Sequence, residues 1–126
     1  MGVLESLYGV YQTGRTSAVV VAESLFREPD AERYAAMLRA WSELVVRSAK
    51  IDLVVRGTEH LPHGEACVVM ANHQSFYDIP VLIRAVPEPM TFVAKAELFR
   101  VPVFGRAMTT AGIVRVDRKD RAQSVA

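Results

Sequence analysis

Residues 51–117 alternate strand-like and helix-like segments behind two longer stretches of helical periodicity, which predicts an α/β fold with an amino-terminal helical hairpin. Before residue 50, apolar side chains recur at spacings of three and four. After it come short apolar runs bounded by glycine and proline, and one of these runs leads into a histidine and an aspartate five residues apart.

The elements follow in chain order. Through about residue 26, Val3, Leu4, Leu7, Tyr8, Val10 and Tyr11 group at helical spacing, which fits an interfacial helix or a packing helix. Pro29-Asp30 marks the next helix start, and Tyr34, Met37, Leu38, Trp41, Leu44 and Val45 form an apolar stripe that runs on to Lys50. That stripe has to cover something apolar, in a core or at a bilayer. Ile51 to Val55 alternates as a half-exposed strand that Gly57 ends, and Ala66 to Ala71 reads as a buried strand. Asn72 to Ser75 is loop, and Ile79 to Val86 a helix that Pro87-Glu88-Pro89 breaks. Met90 to Ala94 is a third strand, Val103 to Thr110 a short helix behind Pro102, and Gly112 to Asp117 a fourth strand. Asp120 to Ala126 reads as the opening of another helix. Two regions are expected: a helical segment over 1–50 and an αβ part over 51–126.

Composition narrows the class. With 51% hydrophobic and 23% charged residues the sequence is that of an ordinary globular protein, and a net charge of +1 gives no reason to expect nucleic acid as a partner. The single cysteine, Cys67, lies in an apolar run and is expected in the core; one thiol excludes an intrachain disulfide. No run approaches the eighteen or so uninterrupted apolar residues of a spanning helix, and Met1 to Arg15 lacks the cationic start and long apolar centre of a signal peptide.

The chemistry is concentrated in Asn72-His73-Gln74-Ser75-Phe76-Tyr77-Asp78. A neutral imidazole, with a reference pKa of about 6.5, can take a proton near neutral pH. A carboxylate on its other ring nitrogen fixes the tautomer and stabilises the imidazolium. Residues five apart on one α-helix are roughly 140° apart around its axis, so His73 and Asp78 meet only if the chain turns between them. Pro80 is tolerated in a first helical turn and not in an interior, so the helix begins near Tyr77 or Asp78 and His73 stays in the loop. Ser75 and Asp78 also match a capping-box-like pattern, in which the carboxylate serves only the helix amides.

Asn72-His73-x-Ser75-x-x-Asp78 resembles the first motif of the glycerolipid acyltransferase family, whose central members are 1-acyl-glycerol-3-phosphate acyltransferases. Three further segments are similar to that family in the same order: Val55-Arg56-Gly57-Thr58-Glu59-His60-Leu61-Pro62, then Lys95-Ala96-Glu97-Leu98 with Pro102-Val103-Phe104-Gly105, then Gly112-Ile113-Val114-Arg115-Val116-Asp117-Arg118. Arg115 departs from the pattern, standing where an aromatic residue is expected. On a strand, Arg115 and Asp117 share one face, while Val114, Val116 and Arg118 share the other. The family's third motif, Glu-Gly-Thr-Arg, and its fourth have no counterpart through Ala126, so the chain is expected to be the amino-terminal part of a longer enzyme.

The resemblance implies a glycerol-3-phosphate acyltransferase-like αβ domain with a mixed sheet. It implies transfer of a fatty acyl group from acyl-CoA or acyl-carrier protein to the free hydroxyl of 1-acyl-glycerol-3-phosphate, giving phosphatidic acid. Glycerol-3-phosphate or a lyso-aminolipid is the alternative acceptor. His73 would be the base and Asp78 its orienting acid, with no metal and no cofactor beyond the thioester co-substrate. It also places the enzyme peripherally on the cytoplasmic face of a membrane. Arg118 and Lys95 are the candidates for the acceptor phosphate, because an anion in a partly buried site needs paired cations; a surface pair of Arg118 with Asp117 or Asp120 is the competing expectation. Ser75 lacks a nucleophile-elbow setting and is expected to cap the helix or to donate to substrate. His60 and His63 have no third ligand nearby, so zinc is not expected. A reading from another class makes the chain a membrane-associating fragment without catalysis.

Overall fold

Helix α1 spans Val3–Ser24 in the computed structural model, which describes residues 3–27 and 30–117. It rests on the body through Gly9, Gln12, Ser17 and Val20. Val3, Leu4, Leu7, Val10 and Tyr11 face outward, so the apolar residues that suggested this helix are not the ones it buries. Helix α2, Ala31–Ser48, begins where the Asp30 carboxylate accepts the N–H groups of Glu32 and Arg33 at 3.0 and 3.2 Å. Its stripe is core: Tyr34, Trp41, Val45 and Val46 are buried, and only Leu44 of the expected stripe is exposed. Arg33 closes the hairpin with a two-pronged bond to Glu23, at 2.6 and 2.7 Å. That guanidinium holds the Glu23 carboxyl below its ordinary value.

Helix α2 faces two apolar clusters. Trp41 and Val45 join Tyr77 and Ile83, with Leu38, Ile79, Met90 and Phe92 around them. Tyr34 joins Val20 and Ala107, with Val21 and Met37 alongside. The expected helix at 79–86 is α3, Asp78–Ala85, tied to α2 by the Ser42 hydroxyl donating to the Pro80 carbonyl and by an Arg84–Glu43 pair at 2.8 Å. Strand β1, Val93–Lys95, is followed by helix α4, Phe104–Thr110, and strand β2, Val114–Val116. The strands pair in parallel, with Val93 opposite Val114 and Lys95 opposite Val116.

Two expected strands are absent. Ile51 to Val55 and Ala66 to Ala71 form no ladder, and Val54, Val68 and Met70 are largely exposed. A strand needs a neighbour to take its N–H and C=O groups, and among the described residues none runs beside these segments. Cys67 is consequently exposed rather than in the core. The mixed sheet expected here is, among the described residues, a parallel pair.

The turn into α4 is tight. Val103 has φ 64° and ψ −54°, and the Phe104 N–H reaches back to the Pro102 carbonyl at 2.7 Å, which makes a γ-turn of the strained positive-φ kind. Gly105 follows, and a Cβ there would lie 2.1 Å from the Phe99 carbonyl oxygen.

Candidate active site

The loop between the 66–71 segment and α3 closes on a single oxygen. Asp78 Oδ2 accepts from His73 Nδ1 at 2.9 Å, from the Gln74 N–H at 2.6 Å and from the Ser75 N–H at 2.8 Å. The chain turns between His73 and Asp78 as the position of Pro80 requires, since a proline costs no ladder bond in the first turn of α3. Asp78 therefore accepts from the imidazole and from two loop amides, not from the amides of α3 that a capping role would have it serve. Ser75 Oγ accepts from the Tyr77 N–H at 3.2 Å, just ahead of α3, whose N-cap Tyr77 has no side-chain cap bond, so the expected cap by Ser75 is not formed.

Electrostatics agree with this geometry. The Asp78 carboxyl is held below its ordinary value, first by the Ser75 and Gln74 N–H donors and less by His73, while partial burial acts in the opposite sense. A carboxylate can only accept, so His73 donates through Nδ1, and in the neutral imidazole that leaves the lone pair on Nε2. The His73 side chain is 65% exposed.

Beside the pair lies a largely apolar cavity of about 300 Å³, the size of a small-molecule site. His73, Asp78, Asn72 and Phe76 line one part of it, Ile79, Leu82 and Phe92 another, and Ala107 and Met108 of α4 a third. The hairpin supplies the remaining wall through Thr13, Thr16, Ser17, Met37 and Trp41.

The other candidates are scattered. Lys95 ends β1, exposed, next to the cavity-lining Ala94. Arg118 lies outside the described residues, two positions beyond the Val116 that faces Lys95. Arg115 is exposed on β2 opposite Ala94. His63 pairs with Glu88 at 2.8 Å and His60 approaches Glu59 at 3.5 Å. No metal-holding group of side chains occurs among the described residues.

A family model described as Acyltransferase matches residues 52–126, well over half of the chain. The chain belongs to the acyltransferase family. His73, Ser75, Asp78, Lys95 and Arg118 all fall inside the matched span, and the hairpin falls outside it. A chloroplastic 1-acyl-sn-glycerol-3-phosphate acyltransferase of Brassica napus is 38% identical over 72 residues, covering 56% of this chain and 21% of the relative. The alpha enzyme of that name from Mus musculus is 35% identical over 75 residues, covering 60% and 26%. The Helicobacter pylori enzyme is 38% identical over 56 residues, covering 44% and 24%. The chain thus spans about a fifth to a quarter of the length of these relatives. No solved structure matches it.

Sequence reasoning missed the contribution of the hairpin to the site. Thr13, Thr16 and Ser17 recur at helical spacing on α1, and that stripe of small side chains was the available signal for a face turned toward the body of the molecule.

Proposed function

We propose that this chain carries the base and the acyl pocket of a 1-acyl-glycerol-3-phosphate acyltransferase. The observation that carries the proposal is the His73–Asp78 pair, with Nε2 free, at the wall of an apolar cavity. His73 Nε2 takes the proton of the acceptor hydroxyl as its oxygen attacks the thioester carbonyl of acyl-CoA or acyl-carrier protein. The tetrahedral intermediate collapses by breaking the C–S bond, and the imidazolium returns the proton to the departing thiolate. Asp78 remains ionised throughout and stabilises the imidazolium. The fatty chain occupies the apolar cavity, and the product is phosphatidic acid.

Lys95 and Arg118 hold the acceptor phosphate in this proposal. What supports Lys95 is its exposed place beside Ala94; what supports Arg118 is its place in the Gly112–Arg118 motif. The outward row Val3, Leu4, Leu7, Val10 and Tyr11 supports a peripheral seat on the cytoplasmic face of a membrane. None of the described helices is long and apolar enough to cross one.

The test is transfer of a labelled acyl group from acyl-CoA or acyl-carrier protein to lysophosphatidic acid in detergent micelles, with this chain beside a version carrying the third and fourth family motifs. A positioned base contributes about 10²- to 10⁴-fold, so His73→Ala should remove at least that factor. Near-normal turnover by His73→Ala would overturn the assignment.

A further inference from the structure

The hairpin lies outside the span that matches the acyltransferase family, yet it grips the loop that carries the base. Trp41 on α2 is buried, and its ring meets Phe76 edge to face, with centroids 6.3 Å apart and planes at 87°. Phe76 in turn packs on Tyr77, at 5.7 Å and 81°. Helix α1 also comes close enough that a Cβ on Gly9 would sit 3.5 Å from Phe76 Cε1. The two helices are themselves joined at this point. The Trp41 indole N–H donates to Thr13 Oγ1 at 3.1 Å, and the Thr13 hydroxyl donates to the Gly9 carbonyl at 2.8 Å.

Phe76 lies between His73 and Asp78, in the turn whose Gln74 and Ser75 N–H groups converge on Asp78 Oδ2. We propose that Trp41 is a positioning residue for the His73–Asp78 pair, acting through Phe76, and that Thr13 of α1 sets the orientation of its indole. If the indole turns away, Phe76 loses its edge contact and the three-donor arrangement at Oδ2 loosens. Hydrogen bonds weaken steeply once their angle falls below about 120°, so rotation of the loop away from Oδ2 weakens all three. The consequence for turnover rests on the acyl-transfer reading above; the geometric claim does not.

A side chain that only fills the core would act differently, and Val45, fully buried in the same cluster, supplies that comparison. The experiment follows the Asp78 carboxyl titration and the His73 Nδ1 proton resonance by NMR in this chain, for the wild type, Thr13→Val, Trp41→Ala and Val45→Ala. Thr13→Val and Trp41→Ala should move the Asp78 titration upward toward the ordinary carboxylate value and lose the Nδ1 proton signal. Val45→Ala should lower the melting temperature and move neither. Unchanged Asp78 and His73 signals in both Thr13→Val and Trp41→Ala overturn the proposal, as does an equal shift in Val45→Ala. If Trp41→Ala does not fold, Trp41→Phe and Thr13→Val decide on the same two signals.

In the version carrying the later motifs, Trp41→Ala should lower kcat by up to about 10²-fold, the scale of a misplacement near 1 Å, besides any change in KM for the acyl donor that follows from its place in the cavity wall. A change in KM alone counts against it. If the NMR signals move but His73→Ala retains turnover, the acyl-transfer reading fails while the positioning role stands.

Discussion

Asp78 Oδ2 stands 2.9 Å from His73 Nδ1, and the same oxygen closes the turn between them through the N–H groups of Gln74 and Ser75. One atom therefore both shapes the loop and selects the histidine tautomer.

Asp78→Asn separates these roles. An amide oxygen still accepts the Gln74 and Ser75 N–H groups, so the melting temperature should change by only a few degrees. On the proposed acyl-transfer reading the charge that stabilises the imidazolium is gone, so transfer by the version carrying the later motifs should fall by about 10²- to 10⁴-fold. Thermal melts alongside initial rates check this; a large loss of stability with little loss of rate would reverse the roles assigned.

The acid limit of stability follows from the same bonds. A folded value below the ordinary one means that the unfolded chain binds the proton more readily. The contribution of Asp78 is therefore fully present above its ordinary value of 3.8 and is lost as pH falls through the lower folded value. Glu23, held down by Arg33, acts in the same direction. Urea unfolding between about pH 5 and pH 2 should show a steeper decline for the wild type than for Asp78→Asn, with the Glu23 part of the slope remaining. Identical slopes would mean that Asp78 titrates alike in both states.

Gly105→Ala should be among the most damaging single changes. The new Cβ would lie 2.1 Å from the Phe99 carbonyl oxygen and 2.5 Å from its carbon, and backbone cannot swing aside as a side chain does. The expected loss is at or above the top of the range of about 1–3 kcal/mol typical of overpacking. Denaturant titration reads it directly, and a change under about 0.5 kcal/mol would show that α4 shifts freely.

Val103→Gly should do the reverse. A β-branched residue at φ 64° is strained, and Val103 is half-exposed, so little burial is lost by trimming it. Relief of the turn should outweigh the added chain entropy of glycine and raise stability by about 1 kcal/mol. An unchanged or lower denaturation midpoint would refute this.

Helices and the His73–Asp78 contact were legible in the sequence because both are local. Asp30 caps α2 with its own carboxylate, and the bonds of α2 and α3 come from within each segment. The turn that unites His73 and Asp78 is fixed by Pro80 and by amides within four residues of Asp78. The segments at 51–55 and 66–71 were misread for the complementary reason. Their apolar pattern describes a face that pairs with something, and a pattern in one segment does not say whether a partner lies beside it. The Trp41–Phe76 contact was hidden in the same way: the stripe told that Trp41 is covered, and only the fold tells by what.

The turn on Oδ2 also bears on the order in which the molecule assembles. His73 and Asp78 are five residues apart, whereas Val93 and Val114, paired across the sheet, are separated by α4 and its flanking turns. Chain-closure entropy grows with the logarithm of loop length, at about 0.6 kcal/mol per doubling, so the His73–Asp78 turn is the less demanding contact to close. Closing it belongs to the fast, short-range part of folding, whereas the Trp41–Phe76 contact that aligns it and the parallel ladder belong to the slower part. A nascent chain would carry a closed His73–Asp78 turn before it carried a sheet.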